Sequence, residues 1–216
     1  MTGAREEILA RIRRATADLP ATAVAVPRAY LRHAPGVDPE DRTAVLDLFA
    51  ERLGEYGAAV HRTDAAAVAP TLASALPAGR AVVPRGFPAQ WLADWSGTAL
   101  ADEPLLTREQ LDAADAVVTT CAAAIADSGT LVLDAGPGQG RRAATLLPDL
   151  HLCVVRADQV VSAMPEAIGL LDPRRPLTWI SGPSATADIE MIRVQGVHGP
   201  RRLTVLLVED SDVSDA

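Results

Sequence analysis

Residues 114–136 read ADAVVTTCAAAIADSGTLVLDAG, and this stretch decides the fold class. Two apolar runs, ADAVVTTCAAAIA and TLVLDAG, flank Asp127-Ser128-Gly129, a composition that favours a tight turn. Apolar residues stand on consecutive positions instead of alternating, as they do in strands covered on both faces. The same texture recurs in LHLCVVRA (150–157), LTWISG (177–182) and RLTVLLVE (202–209), and upstream in GAAVHR (57–62) and GRAVVP (79–84). Between these runs lie helical patterns, DAAAVAPTLASAL (64–76), interrupted near Pro70, and TREQLDAA (107–114). Doubly covered strands interleaved with helices predict an α/β fold around a mostly parallel sheet with helices on both faces.

Working outward, the spacing of Val45, Leu46, Phe49 and Leu53 predicts a helix, with Asp38 as N-cap, Pro39 at its first position and Gly54 as its stop. Ile8, Leu9 and Ile12 mark a second helix near the amino terminus. Pro20, Pro27, Pro35 and Pro39 make the stretch between them an extended connector. The organisation expected is an amino-terminal helical arm with its connector over 1–55, an α/β core over 56–209 and an acidic tail over 210–216.

Composition narrows the chemistry. The 216 residues include 49% hydrophobic and 22% charged positions, within the globular range, so a wholly disordered chain is excluded. The net charge of −8 disfavours a phosphate-tracking surface and hence nucleic acid. All 20 basic residues are arginine, which removes Schiff-base chemistry and the lysines of P-loops and kinases. Cys121 and Cys153, far apart, cannot supply the four cysteines of an iron–sulfur cluster or a Cys-rich zinc site. The charged start MTGAREEILARIRR does not read as a secretory signal, and no apolar run approaches the ~20 residues of a membrane span. A soluble, cytoplasmic protein is the expectation.

Four loops follow or join apolar runs and carry small or polar residues. The first is Asp127, Ser128, Gly129 and Thr130, a hairpin turn that can also line a site. The second runs from Asp134 to Arg142. Gly136 and Gly138 after a strand suggest a dinucleotide loop, but the third glycine would fall at Arg141, and Pro148 leaves fewer than ten residues for a crossover helix. That stretch reads better as a flexible loop presenting Arg141 and Arg142 to an anion or an acidic partner. The third loop carries Gly182, Ser184, Thr186, Asp188 and Glu190, where backbone N–H groups at a helix start could hold a small carboxylate, or an ordinary helix cap could form. The fourth holds His198 between glycines, the histidine least explained by packing. His33, His61 and His151 have structural readings, and the four do not form a metal-binding spacing.

Taken together, AIADSGTLVL, GRRAATLLPDLHLCVVRADQVV and ISGPSATADIEMIRVQGVHGPRRLTVLLVE resemble the LUD family, in its lactate utilization protein C branch. The resemblance is dense over roughly residues 107–209 and extends to REEILARIR at the amino terminus. It implies a Rossmann-like fold similar to the sugar-phosphate isomerase and CoA-transferase superfamily. It also implies a part in oxidising L-lactate to pyruvate beside partner subunits that carry iron–sulfur clusters, with no cofactor in this chain. No catalytic residues carry over from the family; the ligand-binding candidates are Asp127, Ser128, Gly129, Thr130, Arg141, Arg142, Gly182, Ser184, Thr186, Asp188, Glu190 and His198. Asp127-Ser128 stands where Glu-Thr is common in the family. A stand-alone enzyme of the CoA-transferase or sugar-phosphate isomerase kind is the competing reading, since Asp127-x-Gly129 is similar to the acid-x-Gly turn of CoA-transferases. A non-catalytic assembly adaptor is a third.

Overall fold

The structure, a computed structural model, describes residues 3–18, 26–182 and 199–209. Two compact units divide at Tyr30, residues Met1–Tyr30 and Leu31–Ala216. The first contains helix α1 (Gly3–Ala15), none of whose residues is buried.

The second unit is built on a six-stranded, all-parallel sheet. Its strands are β1 (Ala59–Asp64), β2 (Arg80–Val83), β3 (Thr98–Ala101), β4 (Ala116–Thr120), β7 (Leu150–Arg156) and β10 (Arg202–Glu209), in the order β1-β10-β7-β4-β2-β3. The chain runs outward from β2 to β3, returns past β2 to β4, and then proceeds through β7 to β10. The carboxyl ends of β2 and β4 therefore flank the topological switch point, where open α/β sheets bind their ligands.

A second sheet of four short strands, β8-β5-β6-β9, is assembled from the excursions between β4, β7 and β10. They are β5 (Ala123–Ile125), β6 (Thr130–Leu133), β8 (Val160–Val161) and β9 (Thr178–Ile180). The run 114–126, a single extended element in the sequence, in fact breaks at Cys121-Ala122. β4 stays in the parallel sheet, and β5 turns into the second sheet, where it pairs antiparallel with β6. Every position from Val117 to Thr119 and from Ala123 to Ile125 is buried, so periodicity carries no mark of the change.

One core layer joins the two sheets. Cys153, Val155, Val205 and Leu207 of the parallel sheet meet Ala124, Leu131, Leu133 and Val160 of the second, together with Val45, Leu46, Phe49 and Leu53 of helix α2 (Arg42–Glu55). On the opposite face Leu150, Leu152, Val154 and Leu206 pack on helix α3 (Val68–Ala75), through Val68 and Leu72. Helices do cover both faces, but on one of them α2 shares the task with the second sheet. Because α2 is part of this core, the arm ends before it and not at residue 55. Two shorter helices complete the fold, α4 (Arg108–Asp112), with a Thr107–Gln110 capping box, and α5 (Met164–Leu170), which covers the outer side of the second sheet through Ala167.

The ends of α2 differ from expectation. Asp41, not Asp38, is the N-cap, accepting from the Ala44 N–H at 3.0 Å. Asp38 instead holds the preceding turn by accepting from the Glu40 N–H. The chain leaves the helix through Gly57, at φ +86°, with the Gly57 and Ala58 N–H groups donating to Gly54 and Leu53 carbonyls.

Candidate functional site

At the switch point the expected crevice is filled by the chain itself. The Gly138 N–H donates to the Arg85 carbonyl beyond β2 (2.7 Å), and the Gly138 carbonyl accepts from the Thr120 N–H at the end of β4 (2.9 Å). The Thr120 hydroxyl donates to the Pro137 carbonyl (3.0 Å). Glycine is needed here for close approach: a Cβ on Gly86 would lie 2.8 Å from Pro137 Cβ, and one on Gly138 would lie 3.0 Å from Thr120 Oγ1. The glycines that suggest a nucleotide loop thus serve loop-on-loop packing.

The rest of that loop is tied down, contrary to the flexible loop expected. Asp134 accepts from the Gly136 N–H and pairs with Arg175 at 3.0 Å, and buried Gln139 accepts from the Asp134 N–H. Arg141 is engaged inside the chain. Its Nε and Nη2 grip both oxygens of buried Asp102, at 2.7 and 3.1 Å, and Nη2 also donates to the Leu106 carbonyl. Burial alone would raise the Asp102 carboxyl, but the Arg141 fork and the Leu106 N–H outweigh it and hold it below the usual range. Arg142 is exposed.

The β5–β6 turn gathers the other described candidates. Gly129 closes it at φ +59°, its N–H donating to the Ala126 carbonyl, and a Cβ there would come within 3.0 Å of the α2 backbone at Arg52 and Leu53. Its carbonyl accepts from the Tyr56 hydroxyl at 2.6 Å. Burial, and then the neighbouring Cys153 thiol, push the Tyr56 phenol well up, so it stays protonated and remains a donor. Gly182 lies against the same ring, where a Cβ would be 3.2 Å from Tyr56 Cδ1.

Three hydroxyls run from the turn to the end of β9. Ser128 lies 2.9 Å from Thr130, and buried Thr130 donates to Ser181 at 3.0 Å. A hydroxyl has one proton to give, so Ser128 must be the donor to Thr130, and among the described residues the proton of exposed Ser181 has no acceptor. On the other side of the turn, the Asp127 N–H donates to the Ser162 carbonyl, while the Asp127 side chain is exposed. Buried Ser162 donates its hydroxyl to Glu166, which also meets His33 Nδ1 at 2.7 Å. Burial would raise the Glu166 carboxyl, but the Ser162 and His33 hydrogen bonds prevail and lower it.

The structure therefore brings Ser128, Gly129, Thr130 and Gly182 into one neighbourhood, beside Asp127, and sets Arg141 apart in an internal ion pair. Ser184, Thr186, Asp188, Glu190 and His198 lie outside the described residues. Tyr56, Ser181, Ser162, Glu166 and His33 join the neighbourhood without having been singled out; the polar tip of a tyrosine at a helix end was the one available signal for Tyr56. His151 is a core residue: it bonds Thr119 at 2.7 Å, and burial pushes it down to about 4, so it is neutral. Among the described residues no group of three or more His, Cys, Asp or Glu could hold a metal ion, and no helix is long and apolar enough to cross a membrane.

Comparison with known proteins places this geometry. Lactate utilization protein C of Deinococcus radiodurans is 49% identical over 175 residues, 79% of this chain and 82% of that protein. Lactate utilization protein C of Bacillus pumilus is 38% identical over 124 residues, 54% of this chain and 50% of that one. The crystal structure of a DUF162 family protein from Deinococcus radiodurans superposes with a TM-score of 0.68 at 44% identity, covering 77% of this chain and 98% of that one. The LUD domain matches residues 4–208, nearly the whole length, and the chain belongs to the LUD domain family.

Proposed function

We propose that this chain is the lactate utilization protein C component of a cytoplasmic system that oxidises L-lactate to pyruvate. In this reading the iron–sulfur clusters reside in partner subunits, and the chain contributes by binding a small carboxylate or those partners. The observation that carries the reading is the 49% identity, over most of both chains, to lactate utilization protein C of Deinococcus radiodurans.

The oxidation removes two electrons and two protons from lactate, one hydrogen leaving the hydroxyl-bearing carbon and the other its hydroxyl oxygen, and the electrons need an acceptor. Two buried cysteines in this chain are too few to hold a cluster, so the acceptor is assigned to the partners. The filled switch point supports binding over nucleotide-dependent turnover, because the place where such sheets hold dinucleotides is taken by Pro137 and Gly138. What the site offers a carboxylate is hydrogen-bond donation, from Ser181 at the open end of the hydroxyl chain.

The test is reconstitution with the cluster-bearing subunits of the same host, following L-lactate-dependent reduction of a dye. The rate is expected to require this chain, and Ser181→Ala is expected to raise KM severalfold. A rate independent of the chain would reject the reading.

A further inference from the structure

Tyr56 reaches the residues that stand beside each of the three hydroxyls. Its own hydroxyl donates to the Gly129 carbonyl at 2.6 Å, and Gly129 lies between Ser128 and Thr130. Its ring lies against Gly182, where a Cβ would be 3.2 Å from Cδ1, and Gly182 follows Ser181. One side chain thus spans the turn that carries two of the hydroxyls and the end of β9, which carries the third.

Tyr56 is itself firmly placed. It ends α2, whose Val45, Leu46, Phe49 and Leu53 are buried in the layer that joins the two sheets, and it packs against that layer. The β5–β6 turn is pressed on the same end of the helix, since a Cβ on Gly129 would come within 3.0 Å of the backbone at Arg52 and Leu53. Helix end, turn and β9 meet at one phenol, which burial keeps protonated and therefore a donor to the carbonyl.

The spacing of the hydroxyls leaves little slack. Ser128 to Thr130 is 2.9 Å and Thr130 to Ser181 is 3.0 Å, the long end of the range for O–H···O bonds. A few tenths of an ångström more would weaken either bond. Thr130 is held by its pairing with Ile125 of β5, but Ser181 stands one residue beyond the β6–β9 ladder, which ends at Leu131↔Ile180. The position of Ser181 therefore depends on contacts outside the ladder, and the ring of Tyr56 against Gly182 is such a contact.

We propose that Tyr56 is the positioning residue of this site: it holds the β5–β6 turn and the end of β9 at the separation that keeps the Ser181 hydroxyl bonded to Thr130 and free to donate to a small carboxylate. The inference rests on the reading of Ser181 given above. Tyr56 acts through Ser181, whereas a purely structural tyrosine would stabilise the fold and leave ligand binding alone.

A double-mutant cycle in the reconstituted, dye-coupled L-lactate assay tests this. Tyr56→Phe keeps the ring and removes the hydroxyl. It should raise KM for L-lactate about three- to tenfold, the worth of one hydrogen bond, with kcat changed by less than about twofold. Gly182→Ala keeps the hydroxyl and presses on the ring from the other side, so it should raise KM in the same sense without depending on how the fold tolerates the loss of the hydroxyl. In the Ser181→Ala background both changes should leave KM within about twofold, because nothing remains for Tyr56 to position. Effects on KM that multiply in the double variants would make Tyr56 a structural residue only and overturn the proposal. A raised KM in Ser181→Ala with an unchanged KM in Tyr56→Phe would overturn this proposal alone. An unchanged KM in Ser181→Ala would overturn the carboxylate reading and this proposal with it.

Discussion

His151 makes folding stability depend on pH in a calculable way. It sits on β7 at 1% exposure, neutral, with one hydrogen bond to Thr119. Burial pushes its pKa from the ordinary 6.5 down to about 4. As pH falls below 6.5 the unfolded chain takes up a proton at this position and the folded chain does not, so acidification favours unfolding. Each pH unit in that window costs about 1.4 kcal/mol, which makes about 2 kcal/mol between pH 6.5 and about pH 5. That is a large share of the roughly 5–15 kcal/mol by which a domain is stable. The contribution is fully present above pH 6.5 and gone once pH has fallen through about 4. Urea denaturation followed by circular dichroism at half-unit steps measures the slope, with His151→Gln as control. The variant should be less stable at neutral pH, through lost packing, but its curve should be flatter by the calculated amount. Identical slopes in parent and variant would show that His151 titrates normally, and the burial argument would fail.

Arg141→Gln strips a bidentate partner from a buried carboxylate and should destabilise the chain by about 1–3 kcal/mol, whereas exposed Arg142→Gln should change it by less than about 0.5 kcal/mol. Thermal melts of the two single variants check the contrast. Gly129→Ala combines a left-handed backbone with a 3.0 Å approach to α2 and should cost about 2 kcal/mol or more, read as a lower denaturation midpoint. Cys121 and Cys153 should resist a thiol reagent until the chain is unfolded, since hydrogen bonding to Cys153 and burial push the Cys121 thiol well up; stoichiometric labelling of native protein would contradict this.

Legibility in the sequence followed how local each cause was. β4, β6, β7 and β10 announced themselves because a strand covered on both faces must be apolar at successive positions, and Asp127-Ser128-Gly129 read correctly as a turn. The partition of 114–126 between two sheets was invisible, because both halves are equally buried. β3 has the sequence TALA at an exposed edge, with no pattern to detect. The partner of Arg141 lies 39 residues away, and no local rule connects Asp102 to it. The glycines of the 134–142 loop were noticed, but glycine permits close approach to anything, and only the fold shows that the approaching group is another loop. Tyr56 and Ser181 reach the β5–β6 turn from distant parts of the chain for the same reason.

The strand order also sets a timetable for synthesis. β1 has a single neighbour in the sheet, β10, so Ala59–Asp64 must find Thr204–Glu209 at the far end of the chain. While a ribosome extends the polypeptide, β2 starts the sheet and β3, β4 and β7 can join in succession, each beside a strand already made. β1 is made before them all and waits for the last. The apolar face of α2 waits too, because every other buried residue of its core, from Cys121 to Leu207, lies on chain not yet translated. Loop-closure entropy makes so distant a pairing slow, and an unpaired strand is open to intruders in the interval. Arg62, in the middle of β1 and engaged by both Asp47 and Glu209 once folding is complete, keeps a charge on that strand throughout the delay.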